Sequence, residues 1–138
     1  MKLCCFHFGP KWDEAVDFGF YGEVRKAKVV SVYDGDTVKV AFPLNKKMYR
    51  WNCRISGVDT PEIRTKDTDE KAMGYKVRDV LSEKILNKVV KVVCGRFDKY
   101  GRLLVDIYID GVSISEWLIS NGYAYPYDGG TKQSWAEL

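Results

Sequence analysis

The chain has 138 residues, 46% apolar, 30% charged and 14% aromatic: enough for one domain that buries roughly two-thirds of its unfolded surface without disulfides or a structural metal, and too apolar for intrinsic disorder. Twenty-two Lys and Arg against nineteen Asp and Glu leave a net charge of +3, which permits an anionic partner without demanding one. No apolar run approaches the ~20 residues of a membrane span, and the opening MKLCCFHFGPKWDEAV turns polar too early for a signal peptide, so an intracellular protein, cytoplasmic or nuclear, is expected.

Residues 1–24 scatter Phe6, Phe8, Trp12, Phe18, Phe20 and Tyr21 without a period. They read as an aromatic extension packed onto a domain spanning 25–138, since that many exposed rings would form a sticky patch. Cys4, Cys5, Cys53 and Cys94 match no zinc spacing and read as reduced thiols. His7, without partners, reads as structural or solvated.

Strands follow. Lys28–Tyr33 and Thr37–Phe42 flank Asp34-Gly35, a strong hairpin signal between alternating apolar positions. Asn45-Lys46-Lys47 is a polar turn into a third strand over Tyr49–Ile55, and Gly57–Thr68 is a loop containing Pro61. Asp67 with Glu70 three residues on resembles a helix cap; Met73, Val77, Val80, Leu81 and Lys84 then recur at helical spacing to about Leu86. Lys88–Gly95 and Leu103–Ile109 are two more strands. Ser113 with Glu116 is a second capping pattern, opening a short helix that Gly122 can end. This order predicts an α+β chain: a five-stranded, partly open β-barrel of the OB-fold kind with two to three short helices.

Three segments concentrate chemistry. In Asp34-Gly35-Asp36-Thr37, Asp36 stands at a strand start where a β-branched residue is the natural choice. In Arg54–Glu62, Arg54 interrupts a strand end, and Asp59 and Glu62 bracket a stiffening Thr-Pro; two carboxylates on a fixed loop suit hard-cation ligation and acid–base work. In Asp98–Arg102, Arg102 lies against an apolar strand and can reach inward, and guanidinium suits bidentate phosphate contact. Each segment is also readable as an ordinary hairpin or solvated loop.

Together, DGDTVKV at 34–40, RISGVDTPE at 54–62, DKYGR at 98–102 and NGYAY at 121–125 resemble the staphylococcal nuclease family in order and spacing over roughly residues 25–127. The resemblance implies calcium-dependent hydrolysis of phosphodiester bonds in DNA and RNA, with magnesium the poorer cation, on single strands or locally opened duplex. It implies metal ligation by Asp36, Asp59 and the carbonyl of Thr60, water activation by Glu62, and phosphoryl contacts from Arg54 and Arg102. Lys99 and Tyr100 match positions that contact a neighbouring phosphate. Tyr123, Tyr125 and Tyr127 compete for a base-stacking role, with Tyr125 taken as its bearer. The residues after Glu62 form a shorter loop than the family's, the aromatic extension is foreign to it, and members commonly continue beyond Ser134–Leu138 with a charged helix. A catalytically silent module of the same fold, binding nucleic acid or protein, is the alternative; it would be expected to have lost ligands or arginines that are present here.

Overall fold

Strict alternation builds the barrel. In β2 (Thr37–Leu44), Val38, Val40 and Phe42 face inward, while β1 (Val24–Val32) contributes Ala27 and Val29 and β3 (Lys47–Ile55) contributes Cys53 and Ile55. β5 (Val89–Phe97) adds Val90, Val92 and Cys94, and β6 (Leu103–Ile109) adds Leu103, Val105 and Ile107. These positions alternate with half-buried or exposed neighbours, as period-two strands with one buried face require. The structure is a computed structural model that describes residues 9–130; the sequence readings of Cys4, Cys5, Phe6, His7 and Phe8 lie outside the described residues.

β1, β2 and β3 form an antiparallel meander, β1 also pairs with β5, and β5 with β6. Parallel pairing of β3 with β6, Cys53–Ile55 against Leu103–Val105, joins the two ends. The barrel is therefore closed, where the sequence suggests a partly open one. Three short strands lie outside it: β4 (Val58–Asp59), β7 (Val112–Ser113) and β8 (Tyr125–Pro126). The α+β class and the OB-like barrel with two α-helices stand.

Strand ends differ from the sequence reading for long-range reasons. β1 starts at Val24 because Val24–Lys28 pairs with Val93–Val89 of β5, a contact that local pattern does not encode. β3 starts at Lys47 because Asn45 and Lys46 take φ of 51° and 68°, a two-residue turn that starts pairing at once, Leu44 against Lys47.

Helix α1 (Thr68–Ile85) is capped as expected, the Asp67 carboxylate accepting from the Asp69 and Glu70 N–H groups. Its buried stripe is Gly74, Val77, Leu81 and Ile85, one register away from Met73 and Val80. Helix α2 (Ile114–Ser120) is capped by Ser113, whose hydroxyl accepts from Glu116 N–H, and buries Ile114 and Leu118. Before the barrel, Trp12–Glu14 makes one 3-10 turn, and Phe20 is buried edge-on against Phe42 and Trp51, whereas Trp12 is 79% exposed. Among the described residues no helix is long and apolar enough to cross a membrane.

Gly35 does not serve the turn chirality that Asp-Gly suggests, because its φ is not positive. It serves close approach: a Cβ there would sit 2.7 Å from Thr60 Cβ and 2.7 Å from Val77 Cγ1. Gly35→Ala is expected to destabilise the protein by about 1–3 kcal/mol, the usual cost of overpacking, read as a lower urea midpoint at unchanged slope. A midpoint at or above wild type would show that the loop is not wedged on Thr60.

Candidate functional site

The β1–β2 loop carries two buried carboxylates, Asp34 and Asp36, each 5% exposed. The Asp36 N–H donates to Asp34 Oδ1 at 3.1 Å, which folds the loop back on itself. Burial, with the nearby Asp36 and, further down, Glu62 charges, pushes the Asp34 pKa up to about 7. By sequence Asp34 is half of a turn dipeptide, and nothing in its local sequence shows that it is buried.

The loop faces residues 58–62. Asp59 and Thr60 are buried, and the short β4 is held by β8, Asp59 opposite Tyr125 and Val58 opposite Pro126. Glu62 is half-buried, and its N–H donates to Glu70 Oε2 on α1 at 2.9 Å. Glu70, expected to belong to a helix cap, thus also holds the loop eight residues upstream. Gly74 lets the same loop lie on the helix: a Cβ there would meet the carbonyls of Pro61 and Glu62 at 3.0 Å.

Arg54 is a fixed guanidinium. Nη1 donates to the Ile55 carbonyl at 2.6 Å and Nη2 to the Val58 carbonyl at 2.9 Å, while Nη2 lies 3.4 Å from Asp36 Oδ2. Its side chain is only 11% exposed, and these acceptors compensate the burial of its charge. Arg102 is fixed from the other side. Its Nε donates to Asp98 Oδ2 at 2.9 Å, and Nη1 to the Thr37 hydroxyl at 3.4 Å. Thr37 in turn donates to Asp36 Oδ1 at 3.1 Å. One polar chain therefore runs Asp98, Arg102, Thr37, Asp36, Arg54. Thr37, which the sequence reading left without a role, is its central link.

Asp98 organises the β5–β6 hairpin, accepting from the N–H groups of Tyr100 and Arg102 at 2.9 Å each. Tyr100 is 72% exposed at the loop tip, with Lys99 Nζ 5.2 Å and Arg102 Cζ 5.5 Å from its ring centroid. Of the three competing tyrosines, Tyr123 packs on Trp117 at 5.7 Å between ring centroids, and Tyr125 pairs its backbone with Asp59. Tyr127 lines a cleft of about 310 Å³ together with Arg54, Asp98 and Arg102.

The donor set for a cation is all oxygen, the type hard divalent ions prefer. Asp36 and Asp59 are buried carboxylates, and the Thr60 hydroxyl is buried with no hydrogen-bond partner. Among the described residues no three carboxylate, thiol or imidazole groups converge as a metal cluster, and Asp36, Asp59 and Thr60 would offer a small, oxygen-only donor set. It fits a divalent cation whose remaining coordination is water. Cys53 and Cys94 are free thiols in the core; burial, with Cys94 nearby, pushes the Cys53 pKa up to about 12, so it is a packing residue and no ligand.

Comparison with known proteins matches residues 52–136 to the family described as staphylococcal nuclease homologue. An uncharacterized protein of Methanocaldococcus jannaschii, MJ1439, is 36% identical over 88% of this chain and 69% of its own length. Endonuclease YncB of Bacillus subtilis is 33% identical over 72% of this chain, which spans 48% of it. Staphylococcal-like nuclease CAN1 of Arabidopsis thaliana is 31% identical over 56% of this chain and 22% of its own. The chain thus spans less than half the length of the two relatives named for nuclease activity.

The Asp98 carboxylate yields a pH prediction. Burial raises its pKa, but the N–H groups of Arg102 and Tyr100 and the Arg102 guanidinium outweigh this and hold it below the ordinary 3.8. A depressed carboxylate stabilises the fold above its unfolded pKa, and that contribution disappears as pH falls through the folded value. Asp98→Asn is expected to lower thermal stability at pH 7, with the deficit shrinking as pH is taken below 3.8. A deficit constant across that range would separate the hairpin's stability from this charge.

Proposed function

The chain belongs to the staphylococcal nuclease family, and from that premise we propose that it is a calcium-dependent nuclease hydrolysing phosphodiester bonds of DNA or RNA, taken as single strand or locally opened duplex. The observation that carries the reading is the pairing of Arg54 and Arg102 on one cleft, tied through Thr37 to the buried Asp36. Two guanidinium groups lining one space suit a tetrahedral phosphoryl group and the extra charge it gains during hydrolysis.

In this reading Asp36, Asp59 and the Thr60 carbonyl would hold the calcium ion, which when bound polarises the phosphate and eases deprotonation of water. Calcium suits the set better than magnesium, whose octahedron is stricter and shorter. Glu62 takes the proton of the attacking water. Its backbone is held by Glu70 and by the close seat on Gly74, so the loop that carries the carboxylate is fixed before substrate arrives. Arg54 spends donors on Ile55 and Val58 and so meets the phosphate in a preset position. Arg102, held by Asp98, does the same from the hairpin. Lys99 and exposed Tyr100 take a neighbouring phosphate, and a base stacks on a tyrosine of the 125–127 segment; the cleft favours Tyr127 over Tyr125 for that role.

The test is cleavage of a single-stranded oligonucleotide with calcium and with chelator. Turnover should need the cation and fall by ~10²–10⁴ in Glu62→Gln, which keeps shape but accepts no proton. Cleavage by that variant near the wild-type rate would remove Glu62 as the base, and no cleavage by wild type in any divalent cation would leave only a binding module.

Arg102→Lys keeps charge but loses the planar fork. Under saturating calcium its single-turnover rate should drop by ~10²–10³, the loss expected for one preorganised donor, with substrate affinity little changed. A rate within a few-fold of wild type would reduce Arg102 to electrostatic attraction.

A further inference from the structure

The outer face of β1–β3 is ordered by the same register that fills the core. With Ala27, Val29, Val38, Val40, Cys53 and Ile55 buried, the alternate residues point outward. Beside the cleft, Thr37 lies opposite Arg54. The next row outward is Ser31, Lys39 and Asn52, and the row after it Lys28, Ala41 and Arg50. Lys26 follows, opposite Lys91 of β5. Rows on one face are two residues apart, about 6.8 Å, so the cations step away from Arg54 over roughly 20 Å.

Of the seven lysines and arginines in the three strands, Lys26, Lys28, Lys39, Arg50 and Arg54 fall on this face by register, and the strands contain no aspartate or glutamate. Among the described residues the ion pairs of these strands are Arg25 with Glu23 and Arg54 with Asp36. Lys28, Lys39 and Arg50 are exposed. Between them Ser31, Ala41 and Asn52 are short, which leaves a shallow floor with charges along it.

We propose that this face is a track for the sugar-phosphate backbone of a single-stranded polynucleotide beyond the cleaved bond, with Lys28, Lys39 and Arg50 each meeting a phosphate. The proposal rests on the nuclease reading for the end of the track at Arg54 and Arg102. A line of cations running into a cleft fits a linear polyanion, whose binding is dominated by phosphate contacts and counterion release. Such a track would let a chain of modest net charge hold a long substrate, through cations lined up on strands that carry no carboxylate.

The test is binding of a fluorescent single-stranded oligonucleotide of about 20 nucleotides, longer than the ~4–16 one such barrel covers, measured by anisotropy in chelator, where no cleavage enters. The variant is Lys28→Gln/Lys39→Gln/Arg50→Gln, and the control is Lys71→Gln/Lys76→Gln/Lys84→Gln on α1, with the same change in net charge. Three lost phosphate contacts should lower the slope of log affinity against log salt by about 2 and raise Kd about tenfold or more at low salt. The control should stay near the wild-type slope. Equal slopes for variant and wild type, or an equal loss in variant and control, would overturn the track. Because the readout is binding in chelator, a wild type that fails to cleave in any divalent cation while the slope still drops would defeat the nuclease reading and leave the track standing.

Discussion

The three-residue parallel ladder between β3 and β6 is the constraint on which the site depends. Its hydrogen bonds set Arg54 opposite Leu104, so Arg102, at the approach to β6, comes to the same end of the barrel as Arg54. Parallel pairing needs a crossover rather than a hairpin, and the chain supplies it with β4, α1 and β5. Between them lie the loop bearing Asp59 and Glu62 and the helix that supports it. Closing the barrel therefore also brings the start of that loop to the arginines: the Val58 carbonyl accepts from Arg54, and Val58 lines the cleft with Arg54 and Arg102.

Burying so many charges in one place has a cost that the hydrogen bonds distribute. Arg54 is satisfied by two carbonyls and Asp36, and Asp98 by two N–H groups and Arg102. Asp34 has the opposite experience: burial and like charge raise its pKa to about 7. Burial is the larger cause and the Asp36 charge adds to it, so the folded-back β1–β2 loop keeps its shape at the expense of the Asp34 carboxylate's charged form.

Glycines set how closely the parts of the site approach. Gly35 admits Thr60 and Val77, and Gly74 admits the Pro61–Glu62 backbone. Neither has a positive φ, so both are there for want of a side chain. Gly74 sits in the buried stripe of α1, where an apolar side chain would have strengthened the helix and pushed the loop away.

Alternation and turn chemistry alone determined the five barrel strands, both helices and their caps, because these are local effects of period and of backbone donors seeking acceptors. The motifs were legible too: Asp36, Arg54 and Arg102 as charges at strand ends that contradict the surrounding pattern, and Asp59 and Glu62 as carboxylates bracketing a Thr-Pro. Only the tertiary structure decided that Thr37 links Arg102 to Asp36 while Arg54 meets Asp36 directly, that Glu70 holds the Glu62 backbone, that Asp34 is buried, and that Tyr127 lines the cleft while Tyr125 pairs with Asp59. Those facts depend on contacts between residues far apart in the chain. Local sequence carries no signal of them, because a threonine in a strand or a glutamate in a first helical turn has a sufficient local reason to be there.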